Sequence, residues 1–146
     1  MKLTFLGTSA GEEYPGIWCE CDNCARAREL GGKNIRRNSC VMIDDDLMID
    51  MGKTAHVQAD RFGKNIRAVK TLLVTHSHGD HLSVHTLWAR HARFGSGGFD
   101  GEQKPEAPPS LPLTLFGSRR IKEALSGDAH KVVLEKGEIT FVEVEP

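Results

Sequence analysis

Thr75-His76-Ser77-His78-Gly79-Asp80-His81 is the stretch that decides how this 146-residue chain is read. It puts three imidazoles and a carboxylate into six residues, directly behind the apolar run Thr71-Leu72-Leu73-Val74. At the end of a strand, side chains two apart point to the same side, so His76 and His78 converge. Gly79 has no Cβ and permits a sharp turn, returning Asp80 and His81 to the same point from the start of a following helix. Four ligand-type groups around one small volume suit a pair of divalent metal ions. The competing reading is a run of solvated loop histidines. In a chain with 7 His, chance produces His-x-His-x-Asp-His on the order of once in a thousand such chains, which favours the metal reading.

Imidazole nitrogen and carboxylate oxygen suit Zn²⁺, Mn²⁺ or Fe²⁺ alike. A catalytic ion keeps one position open for water and lowers its pKa from about 15.7 toward about 7. Two ions about 3.5–4 Å apart can also neutralise a phosphate oxygen. The natural division places His76 and His78 on one ion and Asp80 and His81 on the other. Asp80 is in addition the catalytic candidate, as acceptor of a proton from the attacking water.

Composition narrows the class. Nineteen basic and twenty acidic side chains leave a net charge of −1, and 39% of residues are hydrophobic. That balance fits one globular domain and offers neither a basic nucleic-acid face nor an acidic tail. No apolar run approaches the roughly 20 residues that cross a bilayer. The opening Lys2-Leu3-Thr4-Phe5-Leu6 is too short for a secretory core, so a cytoplasmic location is expected. Three of the four cysteines fall within Cys19-Glu20-Cys21-Asp22-Asn23-Cys24. In a reducing compartment such crowding points to metal ligation rather than disulfides, and three thiolates fix a tetrahedral zinc. Free buried thiols or a redox site are the alternatives. Cys40 lies in an apolar strand pattern and reads as core rather than as a fourth ligand.

Along the chain, residues 2–6 read as a strand, and the Gly- and Pro-rich stretch 7–16 as an irregular loop. A short helix Cys24–Leu30, capped by Asp22 or Asn23, ends at Gly31-Gly32. Residues 39–43 and 47–50 form a hairpin about Asp44-Asp45-Asp46. A helix near Lys53–Phe62 stops at Gly63. The strand Thr71–Val74 leads to the histidine loop, and Val84, Leu87, Trp88 and His91 place an amphipathic helix over 82–94. Residues 94–112, rich in Gly, Pro, Ser and Glu, read as a flexible insertion. A strand Leu113–Phe116 precedes a helix near Arg119–Leu125 with Ser118 at its cap. Val132–Leu134, a Lys136-Gly137 turn and Ile139–Val144 read as a closing hairpin. The order implies an α/β sheet with helices on one face and catalytic loops at the strand ends. His56, His85, His91 and His130 sit in no comparable motif.

The loop Thr75–His81 with Leu82, the early Phe5-Leu6-Gly7-Thr8 and the strand-ending Ile49-Asp50-Met51-Gly52 together resemble the metallo-β-lactamase superfamily. The resemblance implies an αββα sandwich, of which residues 1–146 supply about the first half. It implies that Asp50 steadies the metal loop from behind the ligands. Cys19-x-Cys21-x-x-Cys24 followed by Ala25-Arg26-Ala27-Arg28 is similar to the branch holding the phosphoribosyl cyclic-phosphate phosphodiesterases. There the three thiolates hold a structural zinc completed by a distant histidine.

By this resemblance, His76, His78, Asp80 and His81 are four of seven usual metal ligands, the rest belonging to a second half. Function is therefore expected to be metal-dependent hydrolysis of a small phosphodiester, with two Zn or Mn ions at the loop and one structural Zn at the cysteines. Alternatives are another hydrolase of the fold acting on a thioester, lactone or RNA, and a truncated, non-catalytic metal-binding protein. Nucleic acid and membrane are not expected partners. A homodimer, in which a second copy stands in for the missing half, is a further expectation.

Overall fold

The computed structural model describes residues 1–91, 111–127, 134 and 139–145. Six strands form one sheet in sequence order: β1 (Leu3–Gly7), β2 (Cys40–Ile43), β3 (Leu47–Ile49), β4 (Thr71–Leu73), β5 (Leu113–Gly117) and β6 (Ile139–Glu143). β1, β2 and β3 pair antiparallel, as the Asp44–Asp46 hairpin turn requires, and β3 through β6 pair parallel. Four α-helices fully within the described residues are interleaved: α1 (Asp22–Leu30), α2 (Ala55–Arg61), α3 (Val84–His91) and α4 (Arg119–Leu125).

Alternation along the strands splits the sheet into two faces. Leu6, Cys40, Met42, Met48, Leu72, Leu113, Leu115 and Ile139 point to one side, where Ala55, Ala59, Leu87, Ile121 and Leu125 of the helices complete a single core. Fully burying a leucine or methionine contributes about 1.5–3 kcal/mol, so this face holds the fold together. α2, α3 and α4 lie on one side of the sheet, as the order of elements implies.

The other face has no such cover among the described residues. Strand register aligns Phe5, Val41, Ile49, Leu73, Phe116 and Val142 in one row across all six strands. Every member keeps some solvent exposure, Phe5 at 60%. This apolar row is the one nearest the ends of β3 and β4 from which the histidine loop departs.

Several expectations shift in detail. α1 begins at Asp22 with Cys21 at its cap position and no side-chain capping bond, so neither Asp22 nor Asn23 caps it. Its end is as expected, with Gly31 and Gly32 both at positive φ. Ser118 precedes α4 without a capping bond of its own. α3 starts at Val84 rather than 82, because Leu82 is drawn into a bridge with Met51. Ser83 Oγ accepts from the backbone of Thr86 at 3.2 Å and serves as its cap. β6 is reached by a crossover and runs parallel to β5, with Leu113 opposite Ile139 and α4 between them in sequence. A parallel pair needs such a helix-length connection. Of the expected partner strand, Val132 and Val133 lie outside the described residues, as do Lys136-Gly137. Most of the 94–112 insertion also lies outside them.

Candidate metal centre

Asp50 is where the site begins. It ends β3 at φ 59° and is 5% exposed. A carboxylate so placed must find donors. Its Oδ1 accepts from the backbone N–H of Thr75 at 2.8 Å, and the Thr75 hydroxyl lies 2.9 Å from both carboxylate oxygens. His81 Nδ1 lies 2.7 Å from Oδ2. The Thr75 hydroxyl also stands 3.1 Å from His76 Nδ1.

These contacts fix the tautomers by elimination. Carboxylate oxygens only accept, so His81 donates through Nδ1–H, and in the neutral imidazole its Nε2 carries the lone pair. The Thr75 hydroxyl has one proton, given to Asp50, and so accepts from His76 Nδ1–H, again leaving Nε2 bare. Asp50 thus orients two imidazoles, one directly and one through Thr75. Such outer hydrogen bonds are how histidine ligands are normally aimed.

The outer nitrogen of His81 faces a further acceptor. His81 Nε2 lies 3.3 Å from Asp80 Oδ2. A lone pair and a carboxylate oxygen at that separation repel unless a proton or a metal ion lies between them. Ligand atoms of His76, Asp80 and His81 all fall within 4.8 Å of one another. The residues present therefore fit a divalent ion. The grouping crosses the expected pairing of His76 with His78. His78 lies outside this close cluster, its ring 4.8 Å from that of His76.

The loop is shaped by distant backbone rather than by Gly79. The N–H groups of His81 and Leu82 both donate to His78 O, at 2.9 and 2.8 Å. Met51 N–H donates to His81 O and Ser83 N–H to Met51 O, at 2.7 and 2.6 Å. Gly79 has no positive φ, and a Cβ there would meet nothing within 4 Å. A Cβ on Gly52 would lie 2.2 Å from Asp80 O. Asp80 and His81 sit in this turn, ahead of α3 rather than on it. The 8–16 loop forms the opposite wall: a Cβ on Gly11 would be 3.6 Å from Asp80 Cγ, and Lys53 Nζ donates to Gly11 O at 3.1 Å. Thr75 and Gly52 are the functional residues that residue types alone did not single out. The signal available was a hydroxyl directly before the first histidine.

At the second cluster, ligand atoms of Cys19, Cys21 and Cys24 also lie within 4.8 Å of one another. Tetrahedral zinc with Zn–S near 2.3 Å spaces its sulfurs roughly 3.8 Å apart. Cys19 and Cys21 Sγ stand 3.4 Å apart, far beyond a disulfide bond. The Cys21 thiol is held below its ordinary pKa, chiefly by a backbone hydrogen bond at Cys24 and then by the Cys19 and Cys24 side chains. At Cys24 a backbone bond at Gly16 acts downward, yet desolvation and the other two cysteines leave the thiol raised. Three sulfurs competing for one charge are what a dication relieves. Cys40 is apart from both groups: burial, with a smaller contribution from the Asp50 charge, pushes its thiol up to about 12. His85 is exposed and packs on Trp88 at 5.8 Å, and His56 is exposed on α2. His130 lies outside the described residues.

The family model of the metallo-β-lactamase superfamily matches residues 35–144. The chain belongs to this superfamily. Its solved neighbours share the fold: a diphosphatase of the PhnP family (TM-score 0.64, 21% identity, 98% of this chain and 50% of that one) and Zn²⁺-bound PqqB from Methylobacterium extorquens (TM-score 0.69, 19%, 98% and 49%). The human short-form tRNase Z is similar at TM-score 0.59 and 19% identity, over 100% of this chain and 45% of that one. In sequence, the anti-Pycsar protein Apyc1 of Paenibacillus sp. (strain J14) is 39% identical over 54 residues, 37% of this chain and 22% of the relative. The chain thus spans about half the length of the solved structures it matches. No helix among the described residues is long and apolar enough to cross a membrane.

Proposed function

We propose that the chain contributes the half of a metal-dependent phosphodiesterase that carries the histidine loop. The observation that carries this is the cluster of His76, Asp80 and His81, whose ligand atoms lie within 4.8 Å of one another, with Asp50 and Thr75 bonded to the Nδ1 atoms of the two imidazoles. His76, His78, Asp80 and His81 would hold the catalytic ions, and Cys19, Cys21 and Cys24 a structural zinc. When bound, such ions lower the pKa of water and offset charge developing on a phosphate oxygen. The protein's own part is orientation. Asp50 keeps both imidazoles in the metal-ready tautomer, and Asp80, 16% exposed at its side chain, is placed to take a proton from the attacking water. The choice of a phosphoryl substrate is in keeping with a diphosphatase among the structural neighbours.

Hydrolysis of bis(p-nitrophenyl) phosphate with Mn²⁺ or Zn²⁺ tests the reading. Turnover is expected to be metal-dependent and to fall more than about 100-fold in His76→Ala, beyond what loss of an outer hydrogen bond causes. Metal binding without turnover would leave a non-catalytic metal-binding protein. Turnover unchanged in His76→Ala would remove the histidine from its role.

A second copy laid on the open sheet face would bury the Phe5–Val142 row and bring a second histidine loop to the same edge. Exposed apolar rows of this length mark association surfaces. Light scattering is expected to give a dimer that Phe116→Glu dissociates. A monomer at every concentration would exclude this cover.

A further inference from the structure

A second concave site lies along the free edge of β1, between that strand, α2 and the segment 32–37. Its volume is about 370 Å³, within the range of small-ligand pockets, and no residue of the histidine loop lines it. Four of its lining side chains are cationic, Lys33, Arg36, Arg37 and Arg61, and none is acidic. Their engagements differ. Arg37 is spent on the buried Glu13, at 2.6 Å with the Glu13 side chain 4% exposed. Arg36 lies over the Tyr14 ring at 5.9 Å, and Arg61 donates to Gly32 O at 3.0 Å; neither meets a carboxylate among the described residues. Lys33 meets no acid among the described residues. Among the described residues, three positive charges thus line one pocket without a paired carboxylate. Phe62, 48% exposed, and Phe5 supply aromatic surface beside them.

Like charges so close raise one another's energy, and the arrangement is relieved by a bound polyanion. Arginine forks suit phosphate oxygens, and an exposed ring offers a planar group a stacking surface. We infer that this groove binds a small polyphosphate carrying a planar ring, with Lys33, Arg36 and Arg61 on the phosphates and Phe62 against the ring. It is a binding site apart from the metal centre, so its occupant need not be the molecule hydrolysed.

Calorimetric titration with ATP and with inorganic tripolyphosphate, without added metal ion, tests the assignment. ATP is expected to bind with Kd below about 1 mM, and more weakly as salt is raised. Lys33→Glu and Arg61→Glu should each weaken it by roughly tenfold or more, the scale of one charge-assisted hydrogen bond. Phe62→Ala should weaken ATP several-fold and leave tripolyphosphate unchanged. His76→Ala should bind ATP as the parent does, which separates this site from the metal centre whatever becomes of the hydrolase reading. Lys33 is exposed and supports no contact of the fold, so Lys33→Glu keeps its melting temperature and remains a clean test. Absence of ATP binding up to about 10 mM would overturn the proposal. So would affinity indifferent to both charge reversals, or affinity lost in His76→Ala.

Discussion

Asp50→Ala is expected to lower the affinity of the histidine loop for Zn²⁺ by about 10- to 100-fold and to destabilise the fold by about 2–4 kcal/mol. The carboxylate is nearly buried and accepts from the Thr75 backbone, the Thr75 hydroxyl and His81 Nδ1. Its removal strands donors that no neighbour replaces, and a stranded buried donor costs about 1–3 kcal/mol. Asp50→Asn separates the two effects. Its amide oxygen can still accept from Thr75, so the fold should hold. Its NH₂ group would face His81 Nδ1, which must then accept, moving the ring proton to Nε2 and closing the lone pair to a metal. Thermal melts and zinc titration of both variants check this. An Asp50→Asn protein that binds zinc like the parent would show that the carboxylate does not set the tautomer.

Gly52→Ala is expected to cost about 3 kcal/mol in urea denaturation and to displace Asp80. The added Cβ would lie 2.2 Å from Asp80 O and 2.7 Å from its carbonyl carbon. Both are backbone atoms, held by the Met51–His81 and Ser83–Met51 hydrogen bonds, so neither can swing aside. Gly79→Ala is the matched control, because its Cβ meets nothing and its backbone needs no left-handed conformation. It should change stability by less than about 0.5 kcal/mol. Equal stability of Gly52→Ala and the parent would mean that the two loops do not approach as closely as this.

The contrast between these glycines shows what the sequence could carry. A glycine inside the motif invites a local explanation, yet the constraint falls on Gly52, 28 positions from the atom it must admit. Close approach between segments distant in the chain leaves no local signature. The histidine loop, the Asp44–Asp46 hairpin and the helix stop at Gly31-Gly32 were legible, because each rests on neighbours in sequence. So was the single-sided helical layer, which follows from strand alternation and element order. The direction of β6 was not, since Ile139–Glu143 alternates equally well in a hairpin or beside β5 after a crossover. Nor was the role of Thr75, whose hydroxyl matters only because Asp50 and His76 stand on either side of it. Residue types marked out the candidate ligands, and three-dimensional contacts decide which nitrogen of His76 and His81 is engaged by Thr75 and Asp50.

Anomalous diffraction from crystals grown with Zn²⁺ or Mn²⁺ tests the central claim most directly. An ion is predicted at Nε2 of both His76 and His81 and beside the Asp80 carboxylate, with zinc also among the sulfurs of Cys19, Cys21 and Cys24. An ion bonded through Nδ1 of either histidine, or a histidine loop that takes up no metal, would contradict it.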